Sequence, residues 1–313
     1  MGKVSITMSI QTIAVLGAGA IGSYFIDGLR EKLGDHLWVI AEGERAERLK
    51  EKGIVVNGEP LRLNVRTPEQ AHGADLLIVT VKYGGLSGSL PMIEKIVDDH
   101  TIVMSPMNGV DSEMVIGEVI GMEHVVYSLM RIASRRVGNE IRYDPEVTQG
   151  VYFGETEGTR SQRILDLMEL FDDTPVRYSI SSDIRQDIWY KYALNISKNI
   201  PQAIVGCGYG GYRDSSHLSY ISDKMREEVA QVAWAKGIDI RDTDNPGAHN
   251  SPIPAEARFS TLQDLDAKRE TEIEMFCGTL VRMGRELGIE TPFNDFAYHV
   301  IRCLEEKNAG KLK

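Results

Sequence analysis

Cysteine is scarce: Cys207, Cys277 and Cys303 are the only three in 313 residues, and no two stand close. That excludes a disulfide framework and a thiolate metal site, and it fits a reducing, cytoplasmic compartment. The seven histidines show no HxxxH or HExxH spacing, so no metal is expected. No apolar run approaches the ~20 residues that cross a bilayer. Residues 1–11 lack the basic-then-apolar order of a signal peptide. Positive charge is in deficit: 35 Lys and Arg against 46 Asp and Glu leave a net charge of −11. Neither nucleic acid nor an anionic membrane is expected as the main partner. A local group of Lys, Asn and backbone N–H can still hold a small anion. What remains is ordinary for a globular protein, with 42% hydrophobic and 26% charged residues and length enough for two domains.

The strongest signal comes early. Thr12-Ile13-Ala14-Val15-Leu16 is apolar and β-prone, and Gly17-Ala18-Gly19-Ala20-Ile21-Gly22 follows at once. A helical pattern then runs to about Leu33. Strand, GxGxxG and helix in this order form a dinucleotide fingerprint. Gly17 suits a tight turn, Gly19 a close approach of backbone to pyrophosphate, and Gly22 close packing of helix on strand. The first helical N–H groups then face the phosphates. A purely structural glycine turn is the alternative.

Strands and helices alternate through the first half. Strands are expected at 36–41, 75–81, 101–105 and 125–130, and helices at 44–52, 86–99 and 111–120 with Asp111 as N-cap. Asn57-Gly58, between Ile54–Val56 and Leu61–Val65, reads as a hairpin. Segments 141–143 and 151–154 read as antiparallel additions. This pattern predicts an α/β fold with a doubly wound sheet of the Rossmann type. From about Ser181 helical periodicity takes over, at 183–200, 217–235, 261–287 and 294–307, with a Pro- and Asn-rich loop at 242–254. The expected division is a dinucleotide-binding domain, residues 1–181, and an all-helical substrate domain, residues 182–313.

The residue ending the second Rossmann strand meets the adenosine ribose, ~20 residues past the glycines. Here it is Glu42, whose carboxylate suits ribose hydroxyls and NAD(H). Arg45, one turn on, can pair with a 2′-phosphate and pulls toward NADP(H). The alternative is that both charges merely solvate a loop and a helix start. In the helix expected at 183–200, Lys191, Asn195 and Asn199 recur at i, i+4 and i+8 on one face. Asparagine is a poor mid-helix residue. The stripe could protonate a carbonyl oxygen and hold a carboxylate or hydroxyl. It could also be a solvated face, with Lys198 as an exposed companion. Ser260 and Gln263 have capping-box spacing, and Glu272 reads as one solvated acid on a charged helix. Lys82 and Asn108-Gly109 follow strands at the carboxyl edge, where open α/β sheets bind ligands. Each is equally a surface charge or a turn.

Taken together, GAGAIG, VTVK, MNG, WYKYALNISKN, FSTLQD and ETEIE resemble, in this order, the ketopantoate reductase (2-dehydropantoate 2-reductase) family over nearly the whole chain. The most specific parts are Lys191-xxx-Asn195-xxx-Asn199 and Ser260 with Glu272 twelve residues later. The resemblance implies reduction of ketopantoate to pantoate with NADPH, a step toward pantothenate and coenzyme A. It implies Lys191 as general acid and Glu272 as a catalytic residue that positions Lys191 or the substrate hydroxyl, with Asn195, Asn199, Ser260 and Asn108 holding substrate. Residues 17–22, Glu42, Arg45, Lys82 and Asn108 would meet the cofactor. The apolar stripes of the long C-terminal helices fit packing within the chain or across a homodimer. The chain departs from the family pattern at Glu42, where a basic residue is usual, leaving NADH as the alternative. It departs also at Tyr83-Gly84-Gly85, at Met107 and at 140–144, leaving another 2-oxo acid open as substrate. Two rival readings remain: a related dehydrogenase using a histidine, although none stands near Lys191, and a non-catalytic nucleotide sensor, which would not need the Lys-Asn-Asn stripe.

Overall fold

The computed structural model describes residues 9–137, 140–241 and 253–312. Most of the loop expected at 242–254, and residues 1–8, lie outside them. The chain forms two compact units, Met1–Ile184 and Arg185–Lys313.

The first unit opens with β1 (Ile13–Leu16), α1 (Ala20–Leu33), β2 (Leu37–Ile40) and α2 (Gly43–Lys52). Next come β3 (Ile54–Val56), β4 (Glu59–Leu61), β5 (Val65–Arg66), β6 (Leu76–Val79), α3 (Leu86–Ile96), β7 (Ile102–Met104) and α4 (Ser112–Ile120). It closes with β8 (Val125–Arg131), β9 (Ser134–Val137), β10 (Glu140–Tyr143), β11 (Gly150–Gly154), α5 (Gln162–Phe171) and β12 (Tyr178–Ile180). The main sheet has the order β12-β11-β8-β7-β6-β1-β2-β5. From β8 to β5 every pairing is parallel, while β11 adds antiparallel to β8. Alternation of side chains makes the sheet two-faced. Ile13 and Val15 join Phe25 and Leu29 of α1 and Leu167 and Phe171 of α5 in one core. Ala14 and Leu16 join Ile93 and Ile96 of α3 and Ile116 of α4 in the other. Helices therefore cover both faces, as the doubly wound expectation requires.

Three local expectations are corrected. The stretch 61–65 is not one strand: β4 pairs with β3 in a second sheet, β4-β3-β10-β9, and β5 pairs with β2 in the main one. Asn57 (φ 48°) and Gly58 (φ 87°) carry the positive φ values of a type I′ hairpin turn, from which β3 pairs with β4 as far as Ile54 and Leu61. The 141–143 strand is antiparallel to β9 but parallel to β3. Asp111 stands at the N-cap of α4 without capping it. Its Oδ2 accepts instead from the Tyr83 hydroxyl at 2.6 Å.

The second unit is helical: α6 (Ile184–Val205), whose first residue belongs to the other unit, α7 (Gly211–Asp214), α8 (Ser216–Ala235), α9 (Ser260–Asp266), α10 (Thr279–Leu287) and α11 (Pro292–Asn308). The single helix expected at 261–287 is broken. Lys268 adopts the left-handed region (φ 52°), Lys268 N–H bonds Leu265 O, and Arg269 N–H bonds Asp264 O at 2.8 Å. Those two bonds make a Schellman ending without its usual glycine. The strain is held from α11, where Asn308 Nδ2 caps the Leu265 carbonyl and Glu305 accepts from Thr271 N–H and Oγ1–H. Helical structure resumes as a π-turn over 274–278 leading into α10. Among the described residues no helix is long and apolar enough to cross a membrane.

Candidate functional site

In the first unit, chain reversal of the sheet order at β1 leaves a crevice at the carboxyl ends of β1 and β6. The glycine turn fills it. Gly17 has φ 114°, and a Cβ there would lie 2.7 Å from the Thr80 carbonyl carbon. Thr80 Oγ1 donates to Gly17 O at 2.7 Å, tying the turn to the end of β6. A Cβ on Gly22 would stand 1.8 Å from Gly17 O, so helix and turn meet backbone to backbone. Around Gly19 the result is opposite: a Cβ would meet nothing within 4 Å. The space above Gly19 is open, and α1 begins there without a side-chain cap or an acidic residue in its first turn. Its first N–H groups and dipole are thus available to an anion. These residues fit a nucleotide pyrophosphate, with Ala18, Ala20 and Ile21 completing the turn.

Glu42 is exposed and is the backbone N-cap of α2. It lies near enough to Lys95 to favour that ammonium, though Glu69 is the larger influence there. Arg45 has its pKa lowered, first by burial and then by the guanidinium groups of Arg48 and Arg136. Cross-strand pairing puts Arg136 opposite Ile141, on the face of β9 and β10 that carries Tyr143. Tyr143 packs on Tyr24 and donates to Asp27 of α1, so this face is turned toward α1. Lys82 is exposed at the head of a short turn after β6, and Asn108 is half-buried after β7.

In the second unit, α6 carries the polar stripe. Lys191 and Asn195 are half-buried and Asn199 is buried. Lys198 is half-buried rather than exposed: its Nζ donates to Ser222 Oγ at 2.9 Å and lies over the Tyr212 ring, and burial lowers its pKa. The Ser260–Gln263 capping box does not form, because Phe259 is the N-cap of α9 and Gln263 Nε2 donates to Arg258 O. The Ser260 hydroxyl accepts instead from Asn199 Nδ2 at 3.4 Å. The helix break frees Glu272 from the solvated face expected of it, and it is half-buried. Tyr192, beside Lys191, donates to Phe276 O at 2.5 Å and stacks on the Phe276 ring. That contact lashes the 272–276 segment to the turn of α6 carrying Lys191. The structure thus brings Asn199 to Ser260, and the Glu272 segment to α6.

Two contributors escaped the sequence reading. Tyr192 gave no signal, since a buried aromatic beside a lysine is indistinguishable from core. Gln202, at i+11 from Lys191, did give one, since it prolongs the stripe by a further turn.

The fold is a Rossmann-type α/β unit of the dinucleotide-binding kind with a helical second unit. Comparison with known proteins makes the assignment specific. Residues 13–158 match the family described as Ketopantoate reductase PanE/ApbA, and residues 183–305 match its C-terminal part. The chain belongs to the ketopantoate reductase family. It is 27% identical over 299 residues to a 2-dehydropantoate 2-reductase of Archaeoglobus fulgidus, covering 95% of this chain and 99% of that one. In fold it resembles a PanE/ApbA family ketopantoate reductase from Ralstonia eutropha (TM-score 0.80, 23% identity, 95% and 99% covered). It equally resembles D-mandelate dehydrogenase in complex with NADH and anilino(oxo)acetate (TM-score 0.83, 22% identity, 95% and 99% covered).

Proposed function

We propose that this protein reduces ketopantoate to pantoate, with NADPH as cofactor. The observation that carries the reading is the stripe Lys191, Asn195, Asn199 with Ser260 drawn to Asn199. When bound, the nicotinamide nucleotide supplies a hydride to the carbonyl carbon of a 2-oxo acid. Negative charge then builds on the carbonyl oxygen. The Lys191 ammonium stabilises that charge and gives its Nζ proton to the oxygen, so the ketone becomes a hydroxyl. Lys191 afterwards regains a proton from solvent. Asn195, Asn199 and Ser260 offer amide N–H and hydroxyl groups to the carboxylate and the other substrate oxygens. Glu272 is assigned to orient Lys191. Lys82 and Asn108 are assigned to the nicotinamide end of the first unit.

NADPH is supported by Arg45, just past the position that meets the adenosine ribose, whose charge the guanidinium groups of Arg48 and Arg136 disfavour after burial. A 2′-phosphate beside Arg45 offsets that like-charge effect, while the Glu42 carboxylate opposes it. A second reading, an NADH-dependent reductase of a different 2-oxo acid, rests on Glu42 and on the likeness to D-mandelate dehydrogenase with NADH. Following nicotinamide absorbance with ketopantoate, with NADPH and NADH in parallel, tests both. Rapid oxidation of NADPH is expected. Oxidation of NADH alone, or only with another 2-oxo acid, selects the second reading. Cofactor binding without turnover on any 2-oxo acid leaves a sensor.

A further inference from the structure

Gln202 extends the polar stripe where the motif stops. At about 100° per residue it falls about 20° around the helix from Lys191, and three residues past Asn199. It is fully buried, and both ends of its amide are engaged within the second unit. Nε2 donates to the Ala257 carbonyl at 2.9 Å, and the Phe259 N–H donates to Oε1 at 2.7 Å. The carbonyl can only accept and the N–H only donate, which fixes the orientation of the amide. Neither a carboxylate nor a hydrocarbon can satisfy both. The helix around Gln202 is shaped to present it. Its backbone N–H donates to the Tyr212 hydroxyl at 3.1 Å, and that hydroxyl donates to Lys198 O at 2.5 Å. These are the two groups an α-helix pairs i to i−4, and Pro201 lies in the same turn. Residues 257 and 259 lead straight into Ser260, whose hydroxyl accepts from Asn199.

We propose that Gln202 is a positioning residue for the 2-oxo acid: by clamping the 257–259 backbone it holds the Ser260 hydroxyl against Asn199. It touches neither reacting atoms nor cofactor. This inference rests on the proposed function, because Ser260 and Asn199 matter here only as groups that grip substrate oxygens. Loss of the clamp loosens the grip without removing the acid, so KM moves and kcat does not.

The test is steady-state kinetics of the full chain with the 2-oxo acid that the wild type reduces, alongside nucleotide affinity by fluorescence titration and thermal melting. Gln202→Leu removes both bonds, and KM is expected to rise about tenfold, with kcat within about threefold and nucleotide Kd unchanged. Gln202→Glu keeps the volume, accepts from Phe259 N–H, and repels the Ala257 carbonyl when ionised. Its KM, taken relative to wild type at each pH, is expected to fall as pH drops and the carboxyl becomes a donor. In a cycle with Ser260→Ala, the Gln202→Leu effect on KM is expected to vanish largely. A residue of merely structural importance would lower melting temperature and active fraction together and show no acid rescue. KM within twofold of wild type in Gln202→Leu, or unchanged sensitivity after Ser260→Ala, overturns the inference alone. If Gln202→Leu fails to fold, the pH profile of Gln202→Glu decides. A wild type that reduces no 2-oxo acid overturns the proposed function and this inference with it.

Discussion

Burial pushes the Glu113 carboxyl up to about 7 from an ordinary 4.5. Ser112 Oγ donates to it at 2.9 Å, and these bonds only partly offset the desolvation of the charged form. The folded state therefore holds a proton that the unfolded state has lost between about 4.5 and 7. Stability from this group is full below the unfolded pKa and is lost as pH rises to about 7, a loss of up to about 3 kcal/mol. Replacing Glu113 by Gln is expected to raise the melting temperature at pH 8 and to change it little at pH 4, as calorimetry at the two pH values would register. At Lys191 the proposed chemistry makes a different demand. Lys191→Ala is expected to lower kcat by about 10²- to 10⁴-fold while nucleotide affinity holds. Wild-type turnover by that variant would remove Lys191 from the mechanism.

Elements depend on a few contacts that propensity does not reveal. Gly22 is where α1 leaves the turn, and a methyl there would occupy the Gly17 carbonyl oxygen. Gly22→Ala is expected to cost about 1–3 kcal/mol in urea unfolding and to abolish nucleotide binding. An unchanged urea midpoint and affinity would mean that the turn yields. Helix α11 is capped from outside: Glu228 of α8, buried, accepts from Phe293 N–H, Asn294 N–H and Asn294 Nδ2. Glu228→Ala takes the acceptor from the Phe293 and Asn294 N–H groups, leaving Asn294 Nδ2 with the Met225 carbonyl, and is expected to destabilise by about 2–3 kcal/mol. Chemical denaturation that matches wild type would contradict that role. The break between α9 and α10 has the same character. Nothing in Ala267-Lys268-Arg269 announces a helix end, and the break is imposed by Glu305 and Asn308 some 40 residues later.

At the scale of the molecule, a chain with net charge −11 brings the Arg48 and Arg136 guanidinium groups, from α2 and β9, near enough to Arg45 to disfavour its charge. Arg136 reaches it because the second sheet folds β9 toward α1. On the proposed NADPH reading, Arg45→Ala and Arg136→Ala are each expected to weaken NADPH by about tenfold and NADH by less than twofold, with the proposed preference for NADPH declining as salt rises. Equal losses for both nucleotides would assign these residues to structure instead.

The order of strands and helices, the glycine turn and the Lys-Asn-Asn stripe were legible in the sequence because each follows local rules: alternation, backbone freedom at glycine, and the period of a helix. Family motifs carried the expected roles of Ser260 and Glu272, which local spacing alone read as a cap and a solvated acid. Only the tertiary structure decided what those residues face. Asn199 takes the Ser260 hydroxyl from its expected cap, α11 breaks the helix before Glu272, and Gln202 clamps a strand of backbone 55 residues away. Such contacts join residues far apart in the chain, and their energies depend on packing that no local pattern encodes.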